Sequence, residues 1–340
     1  MATTTRTAAK TARSAPDLGS TSPTIAACVP SYRLALQASG KADATVDRMY
    51  LPELEKLDRY LASIGHSRRV GAIRREHLEA YLVSLRDAPG RRGQKMSPAS
   101  IAKAFRSIRP FFTWAVREDE IEADPMERMQ RPPVPEKFVK PLTDDEIRRL
   151  FQACAGRTFE QRRDAALVAV LLESGARRGE IAGLRTSDVN VHGGRERGGF
   201  LTFRAENSKS KRDRTISIGP ATAHLLDRYL RSRREHPAAF AEALWLATRG
   251  RGALSGNGIL QVLRRRARAA GIGDVFAHRF RHTMAHMRLA DGMSESAVMQ
   301  HGGWRNPAML RHYSGALAME RAQDEAAKHS PVDRIFGSGS

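Results

Sequence analysis

Cysteine is nearly missing from this chain: two in 340 residues, Cys28 and Cys154. They are too few and too far apart for a disulfide framework or a cysteine metal cage, so the sequence reads as that of a protein from a reducing compartment, most simply a bacterial-type cytoplasm. Long apolar runs are missing too. The longest uninterrupted one, Ala165–Leu172, is far short of the roughly 18 residues of a membrane-crossing helix and reads as a buried helix. The opening segment, from Met1 to about Thr24, is rich in Ala, Thr and Ser and holds no apolar stretch to act as a signal peptide. It reads as a disordered basic tail. Acidic residues are in deficit, with 37 Asp and Glu against 57 Lys and Arg, a formal net charge of +20. Such a surplus implies a polyanionic partner, with nucleic acid ahead of an anionic membrane surface.

What is present divides at a proline cluster. From Thr45, a candidate cap, Val46, Tyr50, Leu54, Leu57, Leu61 and Ile64 advance by three or four residues along one helical face. A second helix is expected around Leu78, Leu82 and Leu85. A third starts at Ser97-Pro98 and runs through Ile101, Phe105, Ile108 and Phe112, with Pro110 expected to bend it. Arg131-Pro132-Pro133-Val134-Pro135 then forces an extended segment, and Thr143 with Glu146 forms a capping box that opens the next helix. Further on, Gly199–Phe203 and Thr215–Ile218 read as two short strands joined by a basic turn, before the chain returns to helices at Leu260–Ala270 and His278–Ala290. The expected organisation is a basic tail over 1–29, a helical domain over 30–130, a proline-rich linker over 131–141, a second domain over 142–334 and a flexible end over 335–340. The fold class is mainly α with a small β-sheet (α+β).

Three basic clusters and one tyrosine carry chemistry. Ser174-Gly175-Ala176-Arg177-Arg178-Gly179-Glu180 breaks an apolar helix at a glycine and restarts it with an arginine near a carboxylate; taken alone it could be a cap with a surface ion pair. Lys209 sits on the hairpin turn, where a lone lysine is usually solvated. In His278-Arg279-Phe280-Arg281-His282, helical spacing puts His278 and Arg281 on one face, so an imidazole and a guanidinium can approach one phosphate together. His278, His282 and His286 also invite a zinc reading, but no cysteine or carboxylate ligand stands at a familiar spacing and no HExxH pattern occurs. Tyr313, one of only six tyrosines, lies between Arg311-His312 and Ser314. A phosphodiester exchange needs charge stabilisation at two non-bridging oxygens, a nucleophile and a proton for the departing oxygen. Two arginines, a lysine, a histidine and a tyrosine meet those needs without a metal.

In order and spacing these motifs resemble the tyrosine recombinase, or phage integrase, family over most of the chain, from about Pro30 to the last helix. The family's TGLRxSE-like motif is matched by SGARRGE, which implies Arg177 as the first arginine and Glu180 as its supporting carboxylate. The GKGxKxR hairpin is matched by SKSKRDR, implying Lys209; serines replace the flanking glycines, which leaves Lys211 as a competitor. HxLRH is matched by HRFRH, implying His278 and Arg281. The LGH motif is matched by Gly302-Gly303-Trp304, nine residues before Tyr313. Trp304 stands where most members carry histidine and can donate one hydrogen bond but cannot shuttle a proton, so it should position and pack.

The resemblance implies an N-terminal helical core-binding (SAM-like) domain and a tyrosine-recombinase catalytic domain, closing as a clamp around double-stranded DNA that carries a specific recombination site. It implies that Arg177 and Arg281 bind the scissile phosphate, that Tyr313 attacks to form a 3′-phosphotyrosyl link, that Lys209 protonates the departing 5′ oxygen and that His278 assists proton transfer. No cofactor is expected. A homo-tetramer on DNA, or a hetero-tetramer with a related recombinase, is expected, with a helix from Ala316 to Lys328 packing in cis or on a neighbouring protomer. The short tail leaves no room for a separate arm-site-binding domain, which points to a simple Xer-like or Cre-like organisation and a nucleoid-associated place in the cytoplasm. The alternatives are a type IB topoisomerase-like strand relaxase and a non-catalytic DNA-binding regulator.

Overall fold

The computed structural model describes residues 21–87, 95–135, 139–191, 198–208, 212–248, 252–307, 310, 322–323, 325–327 and 329–336. The chain forms two compact units, Met1–Lys137 and Phe138–Ser340.

The first unit is helical. Its opening helix, α1 (Ile25–Ala38), begins inside the span expected to be a disordered tail. Thr24 caps it, accepting from the Ala27 amide at 3.2 Å, and Ile25, Cys28, Tyr32 and Leu36 form a buried stripe at three- and four-residue spacing. Burial of that stripe outweighs the one hydrogen bond that Pro30 removes near the helix start. Residues 1–20 of the expected tail lie outside the described residues. Thr45 is not a cap: a short turn over Asp43–Thr45 and a widened turn over Val46–Tyr50 lead into α2 (Leu51–Ser63). Pro52 explains the widening. It has no N–H to offer and its ring crowds the carbonyl four residues earlier, so the Leu51 amide bonds Val46 O instead. After α3 (Arg75–Asp87), α4 (Pro98–Arg117) starts at a Ser97 cap and continues through Pro110. The core holds Leu54, Leu57, Leu61, Leu78, Phe105, Ile108 and Phe112, with the Tyr32 ring 5.3 Å from those of Phe111 and Trp114.

In the second unit, α5 (Asp144–Ala153) opens with the expected capping box: Thr143 Oγ1 accepts from the Glu146 amide at 3.2 Å and Glu146 Oε2 from the Thr143 amide at 3.0 Å, a device worth about 1 kcal/mol. The apolar run seen in the sequence is the buried middle of α6 (Phe159–Ser174), which ends at Gly175 in the left-handed conformation (φ 55°). Then come α7 (Arg178–Ala182) and an antiparallel sheet of β1 (Val189–Asn190), β2 (Gly199–Phe203) and β3 (Arg214–Ile218), in that order. Leu201, Phe203, Ile216 and Ile218 point into the core. Helices α8 (Pro220–Arg234), α9 (Gly256–Ala269), α10 (Ala277–Ala290) and α11 (Glu295–Gly302) complete the main body, and α12 (Pro331–Phe336) lies near the end. The fold is mainly α with a small sheet.

Two arginines of the run Arg264-Arg265-Arg266 are structural. Asp164, fully buried, takes Arg265 Nη2 and Arg266 Nε at 2.8 Å each and also pairs with the buried Arg163 at 2.7 Å. Three guanidiniums share this one carboxylate, and the hydrogen bonds to both of its oxygens offset the cost of burying it. This cluster ties α9 to the start of α6.

Candidate active site

Arg177 caps α7. Its amide donates to Glu180 Oε2 at 2.8 Å and its Nη1 to Glu180 Oε1 at 3.0 Å, with the side chain 31% exposed. One end of the guanidinium is therefore fixed and the rest faces outward. Glu180 is only 2% exposed and also accepts from Ser208 Oγ at 3.2 Å and from Arg214. Burial alone would raise its pKa, but the Arg214 charge, the Arg177 amide and the Arg177 charge outweigh burial and hold it below the usual carboxylate value.

Helix α10 turns Arg279 and Arg281 to different faces. Arg279 turns away from the site and donates to Lys140 O at 3.0 Å and to Glu146 Oε2 at 2.9 Å, anchoring the helix to the start of α5. Arg281, 2% exposed, points the other way: its Nη1 donates to Gly175 O at 2.9 Å and its guanidinium carbon lies 3.9 Å from the centroid of a Trp304 ring. A cation held over an indole face and tied to a backbone carbonyl is placed before any ligand arrives. Trp304, 5% exposed, is itself seated among Met284, Ala285, Leu289, Val298 and Leu310. His278 is solvent-accessible, with its ring 4.8 Å from that of His282. Desolvation, then the charges of Arg281 and Arg177, lower its pKa from the ordinary histidine value, so the imidazole is neutral at pH 7.

Arg177, His278, Arg281 and Trp304 thus come together around the break between α6 and α7, with Glu180 behind them. Lys209 and its competitor Lys211, together with Tyr313, lie outside the described residues; so do residues 316–321 and Asp324 and Lys328 of the expected last helix, and residues 337–340 of the expected flexible end.

The structure adds supports that the motifs do not reveal. His301 Nε2 donates to Glu173 O at 2.9 Å, and Arg288 Nη2 pairs with Glu173 Oε1 at 3.0 Å, so the end of α6 is latched to both α10 and α11.

Residues 140–319, more than half of the chain, match the phage integrase family. The chain belongs to that family. Among curated relatives, tyrosine recombinase XerC of Corynebacterium efficiens is 28% identical over 287 residues, covering 83% of this chain and 84% of its own length. Tyrosine recombinase XerD of Mycobacterium tuberculosis is 29% identical over 286 residues, covering 78% and 88%. Among solved structures, XerH site-specific recombinase bound to a palindromic difH substrate in a post-cleavage complex shares the fold at a TM-score of 0.68 and 16% identity, over 83% of this chain and 79% of that one. A lambda integrase tetramer bound to a Holliday junction does so at 0.65 and 20%, over 86% and 77%. Within the phage integrase family this chain is a tyrosine site-specific recombinase, and neither the strand relaxase nor the non-catalytic regulator is favoured. Among the described residues no helix is long and apolar enough to cross a membrane.

Proposed function

We propose that this recombinase holds the scissile phosphate between Arg177 and Arg281, and that Tyr313 attacks it to give a 3′-phosphotyrosyl link. The observation that carries the reading is the buried Arg281 fork, fixed on Trp304 and Gly175 O and close enough to His278, together with Arg177, to depress its pKa. Two guanidiniums on the non-bridging oxygens stabilise the charge that grows on them. In the attack, the Tyr313 oxygen forms a bond to phosphorus as the 5′ oxygen leaves. Neutral His278 receives the phenolic proton and Lys209 gives one to the departing oxygen. Attack by a partner strand's 5′-hydroxyl reverses the step and conserves the bond, which is the reason tyrosine suits the task. Trp304 holds Arg281 in place.

The helical unit serves as the core-binding domain and the second unit as the catalytic domain, joined by the proline segment. A tetramer on two DNA sites, acting in the cytoplasm, is the working assembly, composed of this chain alone or shared with a related recombinase. The first test uses a nicked suicide substrate drawn from sequence flanking the protein's own gene, with EDTA present. A protease-sensitive protein–DNA band on a denaturing gel is expected; site-specific binding with no such band would instead favour the regulator.

Cleavage should depend on pH through His278. Its folded pKa is lowered, so the neutral, proton-accepting form persists to lower pH than for a free histidine. The single-turnover rate is expected to stay level as pH falls from 8 to about 6.5 and to decline only below that, with His278→Ala slower throughout and lacking this limb. A decline starting well above the free-histidine range would contradict the assignment.

The helical unit offers phosphate contacts of its own. A groove of about 650 Å³ along α1 and α4 is rimmed by Lys41, Arg106, Arg109, Arg117 and Arg131, with no carboxylate in its lining. The Arg106→Ala/Arg109→Ala pair should weaken binding to specific and unrelated DNA alike and reduce the slope of log affinity against log salt by roughly 2. An unchanged slope would remove those two arginines from the DNA interface.

A further inference from the structure

Arg214 belongs to none of the roles above, yet it sits where they meet. It opens β3, and its side chain shares a face with Ile216 and Ile218, both buried, so a charge points inward on a strand whose other inward positions are apolar. The side chain is 9% exposed. Its Nη2 and Nη1 lie 3.4 and 3.5 Å from Glu180 Oε2. The guanidinium carbon stands 4.4 Å from the ring centroid of Phe203, its directly opposite partner in the sheet. A Cβ placed on Gly303 would come 2.8 Å from Arg214 Nη1, and Gly303 is in the left-handed conformation (φ 67°) that ends α11 just before Trp304. One planar cation is therefore wedged between the carboxylate that orients Arg177 and the glycine turn that leads into the seat of Arg281.

We infer that Arg214 is a positioning residue for the cleavage step: it braces Glu180, and through it Arg177, against the Gly303 turn that carries Trp304 and so sets the spacing of the two phosphate-binding arginines. The inference rests on the reading that Arg177 and Arg281 hold the scissile phosphate. The stack on Phe203 and the contact with Gly303 both need a flat group, and Glu180 needs a cation. Lysine supplies only the charge. Glu180 gives the brace a chemical signature. Without Arg214 the carboxylate keeps its burial but loses the charge that most opposes it, so it protonates more readily and releases Arg177.

The experiment compares full-length wild type, Arg214→Met, Arg214→Lys, Glu180→Gln and the Arg214→Met/Glu180→Gln double variant on the suicide substrate. Site binding and thermal unfolding are measured alongside. Arg214→Met is expected to bind the site within about threefold of wild type and to form the covalent complex about 100-fold more slowly, with a larger deficit at pH 6 than at pH 8. Arg214→Lys should recover less than tenfold of that loss. The double variant should be no slower than the slower single, because both changes disable one device. Cleavage by Arg214→Met within threefold of wild type would overturn the inference, as would a deficit equal at both pH values with rate losses that simply multiply in the double variant. Should Arg214→Met fail to fold, full rescue by Arg214→Lys would overturn it on its own. Wild type forming no covalent complex would instead overturn the underlying reading, and the brace with it.

Discussion

Tyr313→Phe is expected to bind the recombination site as wild type does and to form no covalent complex with it, a loss on the order of 10⁴-fold or more in cleavage. Phenylalanine keeps the ring and removes only the oxygen that would bond to phosphorus. The cationic pocket of Arg177, Arg281 and neutral His278 remains, so phosphate contacts persist while nothing is left to attack. Quantitative binding in solution and a denaturing gel on the same samples separate the two effects. Residual covalent complex above a hundredth of the wild-type rate would place the nucleophile elsewhere.

Arg281→Ala should be the most damaging change among the described residues, lowering cleavage about 10²–10³-fold. Arg281 is 2% exposed and held on two sides, by Gly175 O and the Trp304 ring. Truncation therefore removes a preorganised donor pair from the phosphate, leaves a void against the indole and takes a donor from a buried carbonyl. The carbonyl loss costs about 1–3 kcal/mol of stability. Arg281→Lys should restore part of the stability but little of the rate, because an ammonium has neither the fork nor the flat face. A thermal melt distinguishes the contributions: a variant that melts like wild type and still cleaves slowly has lost chemistry. Cleavage by Arg281→Lys within fivefold of wild type would contradict the bidentate role.

Much of the site was legible because its members sit in short motifs. Arg177 with Glu180 is a local i, i+3 pair, and His278 with Arg281 share a helical face, so their proximity follows from helix geometry. Trp304 was legible from its distance to Tyr313. Arg214 closes the SKSKRDR motif, but its contact was not legible, because its partner Glu180 lies 34 residues earlier and the two meet only once the sheet packs on α7. A faint signal was present: an arginine in register with Ile216 and Ile218 on the inward side of a strand. The Arg264-Arg265-Arg266 run misleads in the other direction. Three consecutive arginines add to the basic surplus in composition, whereas Arg265 and Arg266 fold onto Asp164 about a hundred residues away. Helix α1 was hidden by composition. The Ala- and Thr-rich opening masked the Thr24 cap and the buried stripe from Ile25 to Leu36, and Pro30 looked like a boundary though it lies within the helix. Strand β1, only two residues long, has no pattern to read.

The most direct measurement is the identity of the DNA-linked residue. Wild-type protein is trapped on the suicide substrate, digested with protease and nuclease, and the nucleotide-bearing peptide is sequenced by mass spectrometry. A single adduct at Tyr313, carrying a nucleotide through its 3′ phosphate, is the expected result. An adduct on any other residue, or a 5′ linkage, would contradict the assignment of Tyr313 as the nucleophile served by Arg177 and Arg281.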